Sequence, residues 1–109
     1  MLLAYLSYPY SINPKKTTEE ATTLAKEIML RNKHLAVIVP HTSVPNGGQE
    51  LAVKVIITLL RKVDLLILGT DLDPDLSVGM IWEKAFMDDL NSRRNKQIVI
   101  IKACELLNG

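Results

Sequence analysis

A glutamate on a helix whose first turn can bind an anion is the part of the sequence best suited to chemistry. Ser77 directly precedes a segment of helical spacing, where its hydroxyl can cap the helix, and Gly79 falls in the first turn. Backbone N–H groups at such a terminus suit a phosphate or another anion. Glu83 projects from the flank of this helix, on the same side as Gly79, so a partly desolvated carboxylate could act on a ligand bound there. The alternatives are a solvated carboxylate and a serine that only caps the helix.

A second group of polar residues lies near the N-terminus. Tyr8, Tyr10 and Ser11 follow an apolar run, and Tyr5 lies inside it. Taken alone, Tyr5 would be interpreted as a packed core tyrosine. The acidic run over residues 71–75 follows another apolar segment but lacks the later bidentate glutamate of a calcium-binding loop. We therefore expect ligand contacts from the tyrosine-rich loop and no metal at the acidic one.

Four short, continuously apolar runs predict strands that are covered on both faces, as in a parallel sheet. They are Leu2 to Leu6, Leu35 to Val39, Leu65 to Leu68 and Ile98 to Ile101. Helical signals separate them: a capping box over Thr17 to Glu20, the segment Gln49 to Lys62, and a segment from Ser77 to about Leu90. The alternation predicts a single α/β domain over residues 1–109, a flavodoxin-like three-layer sandwich with a four-stranded parallel sheet in the order 2-1-3-4.

This strand order predicts where a ligand binds. In open α/β sheets the site lies at the carboxyl ends of the strands, where the strand order reverses. In the order 2-1-3-4 that point is between strands 1 and 3, so the loops over residues 7–16 and 69–76 would flank one cleft. The tyrosine-rich loop and the loop before Glu83 are therefore expected to meet.

Two helices carry further expectations. The predicted core face of the third consists of Val78, Ile81, Trp82, Ala85 and Phe86. The polar residues of the second form one narrow stripe, namely Glu50, Lys54, Thr58 and Arg61. A helix that is apolar over most of its circumference is usually buried on more than one side, which predicts a homo-oligomer through Gln49–Lys62. The alternative is a helix covered by the C-terminal tail.

Composition and charge exclude several classes of function. A net charge of +1 gives no reason to expect binding to nucleic acid or to a membrane surface, and 48% hydrophobic with 23% charged residues excludes a disordered chain. No apolar run reaches the roughly 18–20 residues of a membrane span, and the N-terminus lacks a signal-peptide pattern. The single cysteine, Cys104, cannot form an internal disulfide, so a reduced, cytoplasmic location is expected. His34 and His41 lie far from any cysteine pair, and no metal or other cofactor is expected.

Three short motifs occur in order along the chain. The first is Tyr5-Leu6-Ser7-Tyr8-Pro9-Tyr10-Ser11, the second is Pro40-His41, and the third is the Ser-x-Gly-x-x-x-Glu pattern that ends at Glu83. Together they resemble the nucleoside 2-deoxyribosyltransferase-like superfamily, and in particular small members whose first strand ends in a similar Pro-Tyr-Ser. The motifs and the order of elements extend this resemblance over nearly the whole chain.

The resemblance implies a small-molecule nucleoside or nucleotide as the substrate, and cleavage or transfer of its N-glycosidic bond. Glu83 would be the nucleophile that attacks C1′, and Tyr5 would orient its carboxylate through a hydrogen bond. Ser77 and Gly79 would hold the sugar or a 5′-phosphate. Water as the acceptor would make the protein a hydrolase, and a second base would make it a transferase.

Ser11 and His41 would be further contacts, but the chain also departs from the family pattern. Family enzymes usually carry an acidic residue on the helix before strand 3, near Ile56 in this chain, and the stretch Leu51 to Leu60 contains none. The glycine usual in the first-strand loop is Tyr8. Two other functions therefore stay open: a non-catalytic nucleotide-binding module that uses the same cleft, and a small oligomeric interaction protein.

Overall fold

The computed structural model describes residues 1–9, 14–39, 49–70, 78–93 and 98–107. Its strands are β1 (Leu2–Ser7), β2 (Leu35–Ile38), β3 (Leu65–Leu68) and β4 (Val99–Lys102). They form one parallel sheet in the order β2-β1-β3-β4. The predicted α/β fold, its parallel sheet and its strand order are confirmed.

Helices cover both faces of this sheet. They are α1 (Pro14–Arg31), α2 (Gln49–Lys62), α3 (Val78–Arg93) and the short α4 (Ala103–Leu107). Helices α1 and α4 contribute to one core, and α2 and α3 contribute to the other. In the residues described, none of the helices is both long enough and apolar enough to cross a membrane.

Strand β1 is central, and its side chains alternate between the two cores. Ala4 and Leu6 pack among residues of α1, whereas Tyr5 packs among residues of α2 and α3. Successive side chains of a strand point to opposite faces of the sheet, so Ser7 lies on the same face as Tyr5. Strand β1 therefore presents two hydroxyl groups, two residues apart, to the side of the sheet that α3 covers.

Hydrogen bonds beyond the strand ladder hold β1 against β3 at both ends. At the start, the Asp64 N–H donates to the Leu3 carbonyl at 2.8 Å, and the Asp64 carboxylate accepts from the Leu3 N–H at 3.1 Å. At the end, the Gly69 N–H donates to the Ser7 carbonyl at 2.8 Å. The carboxyl ends of the two strands, where Ser7 is paired with Leu68, are thus fixed in register.

Helix α1 begins earlier than the capping-box pattern predicts. It starts at Pro14, so Thr17 and Glu20 lie inside the helix and the predicted capping box is wrong. Proline is favoured at the first helical position because the N–H that it lacks has no partner within the helix. Thr17 is instead a buried residue of the first turn.

Helix α3 turns a different face to the sheet from the predicted one. The buried residues are Met80, Glu83 and Met87, whereas Ile81 and Trp82 are 38% and 41% exposed. Trp82 stacks on the partly buried Phe86, with ring centroids 5.5 Å apart. Apolar residues occupy both sides of α3, so their spacing alone does not distinguish a core face. The predicted face is wrong for Ile81, Trp82 and Ala85, which are exposed, whereas Phe86 packs against the core as predicted and the Val78 side chain lies outside the described part of the chain.

The described part of α2 carries the predicted polar stripe. Lys54, Thr58 and Arg61 are exposed. Ile56 and Leu59 pack against the core that contains Tyr5. Val55 and Ile57 are also half-buried but do not belong to that core, so α2 keeps some apolar surface towards solvent.

One side chain ties the end of α3 to the start of β4. The Asn91 Nδ2 donates to the Ile98 carbonyl at 2.9 Å, and the Asn91 Oδ1 accepts from the Ile98 N–H at 2.6 Å. Ile98 is buried, so its backbone groups need partners inside the protein.

We predict that Asn91→Ala lowers the free energy of unfolding by about 1–3 kcal/mol, because two buried backbone groups lose their partner. Urea unfolding followed by circular dichroism measures the change. Ser92→Ala, which removes an exposed hydroxyl from the next residue, is the control and should change the value by less than about 0.5 kcal/mol. Equal effects of the two substitutions would contradict the assigned role of Asn91.

Candidate active site

Glu83 belongs to α3, and its side chain lies between this helix and the carboxyl end of β1. Both of its carboxylate oxygens are hydrogen-bonded. The Tyr5 hydroxyl donates to Oε2, and the Ser7 hydroxyl donates to Oε1 at 2.7 Å. Tyr5 and Ser7 are fully buried, and Glu83 is 6% exposed. The structure therefore brings together two predicted residues that are 78 positions apart, Tyr5 and Glu83, and adds Ser7 to them.

The local sequence explains why β1 can supply both donors. Tyr5 and Ser7 are separated by one residue, so they share a face of the strand. The long tyrosine and the short serine reach different oxygens of one carboxylate. The hydroxyls are neutral, and none of the ion pairs in the described parts of the chain involves Glu83. Hydroxyl groups rather than a cation thus balance the cost of burying this side chain.

Burial is the largest cause of the pKa shifts of Glu83 and Tyr5. Desolvation raises the pKa of Glu83 above its ordinary value of 4.5, and the hydrogen bonds from Ser7 and then Tyr5 oppose that rise without cancelling it. Burial, and after it the charge of Glu83, raises the pKa of Tyr5 above 10.0. The Tyr5 hydroxyl therefore keeps its proton and acts as a donor at neutral pH. A carboxylate with a raised pKa, held by two neutral donors, has properties typical of a catalytic group.

Ser7 is the member of this site that the sequence analysis does not single out. It stands inside the first motif, and only the assignment of Tyr5 to the Glu83 carboxylate would have pointed to it, through the shared strand face. Its backbone is held by the Gly69 N–H, and a side chain at Gly69 would crowd its neighbours. A Cβ placed there would lie 2.7 Å from the Tyr8 ring and 3.1 Å from the Ser7 carbonyl oxygen.

Tyr8 lies on the other side of the sheet from Glu83. Its ring packs against the α1 core, and its hydroxyl donates to Glu20 Oε2 at 2.7 Å. Partial burial, followed by the bond to Glu20 and its charge, raises the pKa of Tyr8 to about 12. The structure does not bring Tyr8 to the carboxylate, because Tyr8 directly follows Ser7 at the end of β1 and its side chain is directed to the face opposite to that of Tyr5 and Ser7.

The other predicted contacts are one glycine of α3 and four residues outside the described ranges. Gly79 lies in the first turn of α3, one helical turn before Glu83. The remaining predicted substrate-binding residues, Tyr10, Ser11, His41 and Ser77, lie outside the described residues. Over the described ranges, no three His, Cys, Asp or Glu side chains converge in a way that could hold a metal ion.

Comparison of the chain with protein-family models, with curated proteins and with solved structures gives no match. Any assignment of function therefore depends on the geometry around Glu83 and on the sequence motifs. Chemically, the arrangement offers one oriented carboxylate at the carboxyl end of the sheet, next to the first turns of a helix. That position is where the strand order reverses and where α/β proteins bind ligands.

We predict that, as pH rises, the free energy of unfolding of the wild-type protein decreases relative to that of a Glu83→Gln variant. The raised pKa means that the folded state binds more protons than the unfolded state between the two pKa values, so unfolding becomes easier as pH rises through that window. The wild-type free energy of unfolding minus that of Glu83→Gln should fall as pH increases from below 4.5. Urea unfolding at a series of pH values measures the difference.

Glu27→Gln, which removes an exposed carboxylate from α1, is the matched control for the loss of one acid. The difference between wild type and Glu83→Gln should fall more with pH than the difference between wild type and Glu27→Gln. A constant or rising difference for Glu83 would contradict the raised pKa.

Proposed function

We propose that the protein cleaves or transfers the N-glycosidic bond of a nucleoside or nucleotide, with Glu83 as the nucleophile. The observation that carries this proposal is the buried Glu83 carboxylate, which Tyr5 and Ser7 hold at the carboxyl ends of the central strands. The motif resemblance supplies the reaction, since it pairs a tyrosine of the first strand with a glutamate of this helix. The strand order supports the proposal further, because the Tyr5–Glu83 pair lies at the point where that order reverses.

The proposed reaction has two steps of similar difficulty. In the first, an ionised Glu83 oxygen forms a bond to C1′ while the bond from C1′ to the base breaks, and the base leaves with the electron pair and takes up a proton from solvent. In the second, water or another base forms a bond to C1′ and gives up a proton to solvent, while the bond from C1′ to Glu83 breaks and releases the carboxylate. Retaining glycosidases divide the displacement in the same way, through an oxocarbenium-like transition state. Two short steps through a covalent ester replace one difficult displacement.

Tyr5 acts on the nucleophile rather than on the base. Its hydroxyl donates to Glu83 and, because its own pKa is raised, it does not compete for the negative charge. By the motif resemblance, Ser77 and Gly79 hold the sugar or a 5′-phosphate, and the first turn of α3 offers backbone N–H groups for an anion. Tyr10, Ser11 and His41 keep their place in the proposal as further contacts. Tyr8 does not, because its hydroxyl is bonded to Glu20 on the other face of the sheet.

A nucleotide-binding protein without catalytic activity is the second candidate. Two observations favour it: both oxygens of Glu83 already have a donor, and the place where the family usually has an acid is near Ile56, which packs against the apolar core. The stretch Leu51 to Leu60 of α2 contains no carboxylate that could then assist the departing base. Binding of a nucleotide without release of base would distinguish this candidate.

We predict that the wild-type protein releases free base from deoxynucleosides or 5′-deoxynucleotides, and that Glu83→Gln lowers the rate by at least about 10³-fold, since the nucleophile is lost. Chromatography of the reaction mixture measures the base. Asp88→Asn, an exposed carboxylate on the same helix, is the control and should keep wild-type activity. The rate should rise with pH through the raised pKa of Glu83, because only the ionised carboxylate is nucleophilic.

Two results would contradict catalysis by Glu83. The first is base release that survives in Glu83→Gln. The second is no release over a broad panel of substrates together with thermal stabilisation by a nucleotide, which would favour the binding module.

Self-association through α2 is a separate proposal about the partner of this chain. It is supported by half-buried Val55 and Ile57 on α2 and by exposed Ile81 and Trp82 on the neighbouring α3. These apolar side chains lie on the same side of the sheet. Exposed apolar side chains are common at protein interfaces.

We predict that light scattering gives a mass that is a multiple of the 12.2 kDa chain and that Ile57→Lys returns it towards the monomer, because a charge would be buried in the interface. Leu30→Lys is the control, since Leu30 is 80% exposed on α1, on the opposite side of the sheet. A monomeric wild-type protein, or equal effects of the two substitutions, would contradict an α2 interface.

A further inference from the structure

We propose that Ser7 is a positioning residue of this site, which fixes the plane of the Glu83 carboxylate and favours its ionised form. Nothing in the motif resemblance assigns Ser7 a role. Its effect on turnover rests on the proposed function, whereas its effect on Glu83 itself does not.

The geometry gives Ser7 a task that Tyr5 cannot perform alone. One donor on one oxygen leaves a carboxylate free to turn about its last torsion, which is broad in glutamate. A second donor on the other oxygen removes that freedom. Ser7 supplies it at 2.7 Å to Oε1, while Tyr5 holds Oε2. The two hydroxyls together define the orientation of the carboxylate plane.

Ser7 is itself held rigidly enough to act in this way. It is the last residue of β1 and pairs with Leu68 at the end of β3. Gly69, the next residue after β3, donates its N–H to the Ser7 carbonyl. The absence of a side chain at Gly69 keeps this approach close, since a Cβ would lie only 3.1 Å from that carbonyl oxygen. The serine side chain is short and fully buried, so its hydroxyl cannot reach out to solvent. A donor fixed in this manner costs little ordering entropy when it binds the carboxylate.

The surroundings of Glu83 increase the effect of the Ser7 hydroxyl on the ionisation of this carboxylate. Tyr5 is the titratable group of β1 that faces it, and α2 and β3 contribute an apolar core that includes Leu60, Leu66 and Leu68. Burial raises the pKa of Glu83, and the Ser7 hydrogen bond opposes that rise. Without Ser7, the protonated form of Glu83 should extend to higher pH, because one of the two donors to the charged form is lost.

Direct titration of Glu83 by ¹³C NMR tests the inference without any substrate. Ser7→Ala and Ser7→Cys both remove the strong hydrogen-bond donor. Because cysteine fills nearly the same volume as serine, Ser7→Cys still provides the test if Ser7→Ala does not fold. Both should raise the pKa of Glu83. Ser7→Thr keeps the hydroxyl and should restore the wild-type titration. Thr70→Val, which removes a hydroxyl that contacts Met80 of α3 rather than Glu83, should leave it unchanged.

Turnover gives a second readout. Ser7→Ala and Ser7→Cys should lower kcat about 10-fold, with KM little changed, and should move the acid limb of the pH–rate profile to higher pH. Unchanged titration of Glu83 in both variants overturns the role of Ser7, whatever the activity. If the wild-type protein turns over no substrate but the titration shifts as expected, the proposed function fails and the inference about Ser7 stands.

Discussion

A carboxylate that is 6% exposed needs partners for its oxygens, and in this protein both partners come from one strand. An unpaired buried charge would cost several kcal/mol, and a hydrogen bond to a charged group returns about 1.5–3 kcal/mol. Two hydroxyls therefore make the burial of Glu83 tolerable without making it favourable, which agrees with the raised pKa. This balance leaves a group that can change its protonation state inside the protein.

The strand order brings the donors and the carboxylate together. Because β1 lies between β2 and β3, its carboxyl end is covered by the helix that follows β3. Parallel pairing places Ser7 next to Leu68, and Gly69 then holds the end of β1 from the neighbouring strand. A contact across 76 positions of sequence thus depends on one parallel pair. The same arrangement turns Met80 and Met87 into the core and leaves Trp82 outside.

Much of the fold follows from the sequence, because short, continuously apolar runs separated by helical segments leave few alternatives to a parallel sheet. The start of α1 does not, since two helix-start signals compete and proline at position 14 prevails over the threonine at 17. The buried face of α3 is also missed, because both of its sides are apolar and a charged residue marks the buried one. Hydrophobic spacing assigns a glutamate to solvent by default.

The site follows from the sequence to a different extent than the fold does. The pairing of Tyr5 with Glu83 comes from the motif resemblance and not from any periodicity, since residues so far apart carry no local signal. Ser7 and Tyr8, however, follow from strand alternation once Tyr5 is placed: Ser7 falls on the same face and Tyr8 on the other. Contacts predicted outside the strands and helices, such as Tyr10 and His41, have no comparable rule, because a sequence expected to form a loop has no period that predicts the direction of a side chain.

The most direct measurement of the central claim is the mass of the peptide that contains Glu83 after the protein has reacted with a deoxynucleoside or deoxynucleotide and been quenched in acid. A glutamate nucleophile predicts that this peptide gains the mass of the deoxyribosyl group, with or without a 5′-phosphate, and that fragmentation places the gain on Glu83. An unmodified Glu83 in protein that is releasing base, or a sugar attached to another residue, would contradict the account.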